Sequence, residues 1–170
     1  TPETLKQIPA QVKFQEVEAN TNVYAVNYDM KQAEVIFLSK DEVYNKQTVP
    51  TIRLFNEYFG AGMSSIVFQE MRESKALAYS VYSKYSLTSK NTVPNYVMSY
   101  IGTQADKLPE AMNGMMTLVN DMPKSDNSFK AAKEIIIQNV RTERITRANI
   151  LFNYISSERL GLDYDIRKDI

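Results

Sequence analysis

The sequence predicts an α+β domain in two layers, a mainly antiparallel sheet with helices packed on one face. Three observations predict it. Apolar residues alternate over short runs at 22–28, 33–38, 79–87 and 95–103. They recur at helical spacing over 47–59 and through most of the second half. The breaks between these runs carry Gly, Pro or polar residues that end one element and begin the next. The chain has 170 residues, enough for a domain that buries roughly 70% of its unfolded surface.

Taken in order, residues 1–20 contain Pro2 and Pro9, which disfavour a continuous helix. They read as an entry linker, with a short edge strand near 12–17. A single domain then occupies 21–170. Runs 22–28 and 33–38 are partly apolar on both faces, the pattern of strands with helices on one side and another domain or strand on the other. Residues 47–59 turn helical, with Ile52, Phe55 and Phe59 on one stripe and Pro50 in the first turn, where its missing N–H costs little. That helix ends at Gly60-Ala61-Gly62. Gly60 and Gly62 read as a structural turn, permitting backbone angles that a Cβ disfavours.

Ser64 or Ser65 is placed to cap a second helix. After Arg72-Glu73-Ser74-Lys75-Ala76 the period changes from helical to alternating, which predicts Tyr79, Val81 and Ser83 on one strand face. Arg72 then lies near the end of a helix and Tyr79 near the start of a strand. Although seven positions separate them, a short turn can bring both to one spot. Strands 79–87 and 95–103 form a hairpin around the polar stretch 88–94. Its Tyr79, Tyr82, Tyr85, Tyr96 and Tyr100 fit cross-strand packing or a peptide-binding face.

The second half reads as three helices. Asp106 is the expected N-cap of the first, with Pro109 in its first turn and Leu108, Met112, Met115, Leu118, Val119 and Met122 as its core stripe. Pro123 stops it. Ser125 or Asp126 caps the next, which turns Phe129, Ala132, Ile136 and Val140 inward and ends in a solvated cluster of Arg141, Glu143, Arg144 and Arg147. Ile150, Leu151, Tyr154 and Ile155 mark a last helix ending near Gly161. All these helices are expected to pack on the sheet.

Composition excludes several chemistries. The chain has no histidine and no cysteine, which removes imidazole bases, H-x-x-E-H zinc pairs, thiol catalysis and disulfides. Lys plus Arg and Asp plus Glu number 20 each, so the excess positive charge that nucleic acid requires is missing. No apolar run approaches the ~20 residues of a membrane span. Glu70/Glu73 and Asp163/Asp165 are chance neighbours among so many acids, and no loop has the oxygen density of a calcium site. The glycine turn lacks the lysine of a phosphate-binding loop and does not follow a strand. A start at Thr1-Pro2 rather than Met is expected of an excised piece. No signal is present to assign a compartment, and bacterial periplasm and cytoplasm both fit.

The stretch 59–83, FGAGMSSIVFQEMRESKALAYSVYS, resembles the C-terminal, non-metal-binding domain of pitrilysin/insulinase-type zinc metallopeptidases, the group that includes mitochondrial processing peptidases. In that family a helix, a Gly-rich turn with Met-Ser-Ser, a second helix ending in Arg-Glu and a strand opening on Leu-Ala/Gly-Tyr follow in this order. The similarity extends more loosely over about 22–162. It implies that zinc sits in an N-terminal peptidase domain, in the same chain or a partner subunit. It further implies that Arg72 and Tyr79 hold the peptide substrate and support the developing oxyanion. A further helix and a closing strand are expected beyond residue 170, and this chain alone is expected to be inactive and zinc-free. Family members often carry glycine where this chain has Ala61 and Ala76. If either position needs a positive φ, alanine costs on the order of 1 kcal/mol. The other reading is an inactive relative serving as a binding or assembly subunit, with Arg72 and Tyr79 merely tying helix to strand.

Overall fold

The computed structural model describes residues 20–165 continuously, with Gln7, Pro9, Ala10, Val12 and Lys168 outside that run. The edge strand expected near 12–17 lies outside the described residues, Val12 apart. Strand β1 (Gln32–Val43) is followed by a helical arm, α1 (Val49–Phe55), which continues as a π-helical turn (Asn56–Gly60). A second short arm, α2 (Ile66–Phe68), continues likewise as Gln69–Ser74. Strands β2 (Ser80–Ser86) and β3 (Pro94–Gln104) precede helices α3 (Leu108–Asn120), α4 (Asp126–Thr142) and α5 (Arg147–Arg159). The sheet is antiparallel in the order β1-β3-β2.

Register assigns every side chain to a face. Val35, Ile101 and Val81 align across the three strands, as do Phe37, Ser99 and Ser83 one step on. This inner face meets the helices. Ile101 is fully buried beside Val67, Met71, Ala111 and Met115, with Val35 and Phe37 packed at the margin. Its polar members are satisfied: Ser83 and Ser99 share a buried hydroxyl bond of 2.8 Å, and Thr103 donates to the Leu77 carbonyl at 2.6 Å. The predicted two-layer α+β class with helices on one face is therefore correct.

The helical arms fulfil most expectations. Pro50 occupies the first turn of α1, Ile52 and Phe59 are buried, and Phe55 stacks on Phe59 with centroids 5.2 Å apart. Ser65 is the cap of α2, its hydroxyl accepting from the Phe68 amide. Asn56 fastens the first arm to the outer edge of β2. Its side-chain amide donates to the Tyr85 carbonyl at 2.9 Å and its oxygen accepts from the Tyr85 N–H at 2.7 Å, so one residue satisfies both groups of an edge strand. Tyr58 fastens the α3–α4 connection, donating to the Pro123 carbonyl and accepting from the Ser125 amide.

Several expectations require correction. Among the described residues the run 22–28 joins no strand, and Val23, Tyr24 and Val26 are exposed. Neither Gly60 nor Gly62 has a positive φ. Gly60 is needed because a Cβ there would lie 2.0 Å from the Ser83 carbonyl oxygen, whereas at Gly62 it would meet only the flexible Glu57 carboxylate at 3.0 Å. Asp106 caps nothing; it sits in a 3₁₀ turn (Ala105–Lys107) leading into α3. The buried stripe of α3 is Ala111, Met115 and Leu118, while Met112, Val119 and Met122 face solvent. Phe129 is nearly half exposed, although its ring meets Tyr58 edge-on. Helix α5 does not pack on the sheet: none of its residues is buried, and Ile150, Leu151 and Tyr154 are exposed.

Of the two alanines at glycine-like positions, Ala61 is unstrained at φ −108°. Ala76 takes φ +49°, in the left-handed region. The turn demands this angle because the Leu77 and Ala78 amides both fold back onto the Met71 carbonyl. Ala76→Gly should therefore stabilise the fold by about 1 kcal/mol, read as a raised midpoint in denaturant with an unchanged slope.

Candidate functional site

No described helix lies on the opposite face of the sheet. Glu34, Gly102 and Ser80 align across it, then Ile36, Tyr100 and Tyr82, then Leu38, Met98 and Lys84. Ile36 is 61% and Leu38 47% exposed, and Tyr82 stacks on Tyr100 at a centroid distance of 5.3 Å. Aliphatic and aromatic groups thus lie open beside phenol hydroxyls, the surface on which an extended peptide can rest.

Tyr79 belongs to this face, not to the face of Val81 and Ser83 as alternation suggests. Its amide donates to the Gly102 carbonyl at 3.0 Å, just ahead of the regular register of β2. Its ring then lies over Gly102, so close that a Cβ on that glycine would sit 2.7 Å from the ring carbon bearing the hydroxyl. A glycine inside a strand marks such an approach. The ring remains 44% exposed, seated by backbone yet open to solvent.

Beside it, the Tyr100 hydroxyl lies close enough to the Tyr79 hydroxyl and the Glu34 carboxylate to feel both. Burial, and then the Tyr79 hydroxyl and the Glu34 carboxylate, push the Tyr100 phenol up to about 12. Tyr85, on the inner face, is also held up at about 12, by burial and by donation to Asp41, and its hydroxyl in turn lowers the Asp41 carboxyl. An unfolded tyrosine ionises near 10.0, so between there and about 12 the unfolded chain releases protons that the folded chain keeps. The stability these two groups confer is complete below pH 10 and falls as pH rises across that window. Tyr85 and Tyr100 should accordingly form phenolate only near pH 12 in an absorbance titration, and Tyr100→Phe should remove one of these late steps.

Arg72 lies in the π-helical end of the second arm. Its guanidinium sits 5.0 Å from the Phe68 ring centroid and 3.8 Å from a Glu73 carboxylate oxygen, with the side chain 48% exposed. An exposed pair of this length is weak, so the fork stays available to a ligand. The turn that follows is held by Lys75 with Glu70 and by Lys107 donating to the Ala76 carbonyl. Among the described residues no hydrogen bond joins Arg72 to Tyr79; each has its own support, and both are open to solvent. No group of three or more Asp or Glu among them is arranged to hold a metal, and His and Cys are absent from the sequence. No helix among them is long and apolar enough to cross a membrane.

A family model described as the peptidase M16 inactive domain matches residues 2–136, spanning every element from β1 into α4. The chain belongs to the M16 peptidase inactive-domain family. A relative from Rickettsia felis described as an uncharacterized zinc protease is 30% identical over 144 residues, covering 82% of this chain and 32% of that protein. The crystal structure of a peptidase M16 inactive domain from Pseudomonas fluorescens superposes with a TM-score of 0.66 at 16% identity, over 84% of this chain and 34% of that one. This M16 inactive domain therefore spans about a third of the length of each. Helix α5 lies beyond the stretch that the family model matches.

The site residues that pattern reading missed are Gly102 and Glu34; Tyr100 was expected only as one of five hairpin tyrosines. Gly102 had a signal, a glycine in the middle of an apolar strand. Glu34 was legible only once the register set it opposite that glycine.

Proposed function

We propose that this M16 inactive domain is the substrate-binding, non-catalytic half of a zinc-dependent endopeptidase that encloses an unfolded polypeptide. Zinc would belong to an N-terminal peptidase domain, in the same chain or in a partner subunit. The sheet face on which no described helix lies, with Tyr79 seated over Gly102, carries this reading. It offers an extended peptide an apolar floor edged with phenol donors, and Arg72 supplies an uncommitted guanidinium nearby in sequence. In a closed chamber such donors act where charge develops. A guanidinium and a phenol aimed at the oxyanion of the scissile carbonyl lower the barrier because they need not reorganise as the charge grows.

The test uses the complete peptidase. Tyr79→Phe keeps the ring over Gly102 and removes only the hydroxyl, while Arg72→Ala removes the fork. Each should lower kcat at least about tenfold, equivalent to ~1.4 kcal/mol of transition-state stabilisation, at an unchanged melting temperature. Unchanged turnover with a lowered melting temperature would instead make this chain an assembly or binding subunit, its Arg72 committed to Phe68 and Glu73.

A further inference from the structure

Oxygen-bearing side chains gather around the bare backbone of Gly102. Glu34 stands directly opposite it on β1 and is exposed, and the Tyr79 ring lies over it. Residue 102 contributes no side chain to separate the carboxylate from the ring. Tyr100, on the same face of β3, has its hydroxyl within the influence of both. Among the described residues Glu34 forms no ion pair. Lys84, the nearest cation in the register of this face, lies four residues along and two strands across, roughly 16 Å away at ordinary strand spacings. Tyr100 stacks on Tyr82, which is itself partly open to solvent, so an electron-rich ring surface borders the acid.

This combination suits a cation. A carboxylate and two phenol oxygens offer acceptors to the N–H donors of an ammonium or a guanidinium, and the ring faces attract either through their quadrupoles. An acidic side chain in the same place would be repelled by Glu34, and an apolar one would strip water from the carboxylate without replacing it. We propose that Glu34, with the Tyr79 and Tyr100 hydroxyls, forms a subsite for a lysine or arginine side chain of the bound peptide. The inference rests on the proposed function, in which an extended peptide lies on this face. There Tyr79 directs its proton at the oxyanion, while its lone pairs stay free to accept from the cation. The positive side chain therefore falls close to the cleaved bond. Lys84, at the far end of the face, repels the same charge and so favours its placement at the Glu34 end.

The test uses the complete protein, under chelation so that no peptide is cut, and unstructured peptides identical except at one central position. The lysine and arginine peptides should each bind at least about fivefold tighter than the norleucine peptide, the combined effect of an exposed ion pair and a cation–π contact, and the glutamate peptide should bind weakest. Glu34→Gln should bring the lysine-to-norleucine ratio close to one. Glu34→Lys should reverse the order in favour of the glutamate peptide, a gain that a misfolded variant cannot give. Equal binding of all the peptides, or a preference for lysine that survives Glu34→Gln, would overturn the subsite and leave the peptide-binding face standing. Failure to bind any of them would overturn both.

Discussion

Gly60→Ala is expected to destabilise this domain by about 3 kcal/mol, near the upper end of the ordinary cost of forcing extra atoms into a packed site. The obstacle is backbone. A Cβ at 60 would lie 2.0 Å from the Ser83 carbonyl oxygen and 2.6 Å from its carbon, and neither can rotate away as a side chain would. Relief requires the helical arm to lift from β2. The same lift would disturb the paired hydrogen bonds of Asn56 to Tyr85 and the shared hydroxyl bond of Ser83 with Ser99. In a chain of this size the melting temperature should fall by about 6–12 °C. Gly62→Ala provides the comparison: its Cβ meets a mobile Glu57 carboxylate at 3.0 Å, so its cost should stay below about 1 kcal/mol. Equal effects at the two glycines would show that the arm does not press on β2 as described.

The contrast between these glycines also shows how far the sequence could be read. Periodicity located the hairpin, the long helices, Pro50 and the Ser65 cap, because hydrophobic stripes and caps are local properties. It marked Gly60-Ala61-Gly62 as a turn but supplied the wrong reason: the demand on Gly60 comes from Ser83, on a strand that forms later in the chain. The same limit applies at Tyr79. Alternation carried back from Val81 puts its ring inside, yet the turn after Met71 and the vacant surface of Gly102 send it outside. Run 22–28 has the composition of a strand, but pairing depends on an edge as well as on composition. Helix α5 has apolar residues on more than one side and no described element to cover them, and no window of its own sequence could show that. The absence of His and Cys excluded His- and Cys-ligated zinc from this chain by composition alone.

Gly102→Ala should cost about 1–3 kcal/mol and should do so through Tyr79. The added methyl would fall 2.7 Å from the Tyr79 ring carbon bearing the hydroxyl and 2.8 Å from the hydroxyl oxygen, so the ring must leave its seat or the strand must bend. Removing the ring first removes the conflict. In a Tyr79→Ala background the same Gly102→Ala change should be close to neutral, leaving a coupling of at least about 1 kcal/mol, well outside the spread expected of independent sites. The Tyr100 phenol supplies a second readout, because part of its elevation toward 12 comes from the Tyr79 hydroxyl. Displacing the ring by Gly102→Ala should therefore lower the pH at which Tyr100 ionises, in the same direction as Tyr79→Phe. On the proposed function, the two substitutions in the complete protein should also reduce kcat without adding, since each removes the same donor from the same place. Additive losses in stability would mean that Gly102 is crowded by something other than the tyrosine. Additive losses in turnover alone would leave the seat intact but deny Tyr79 its part in the reaction.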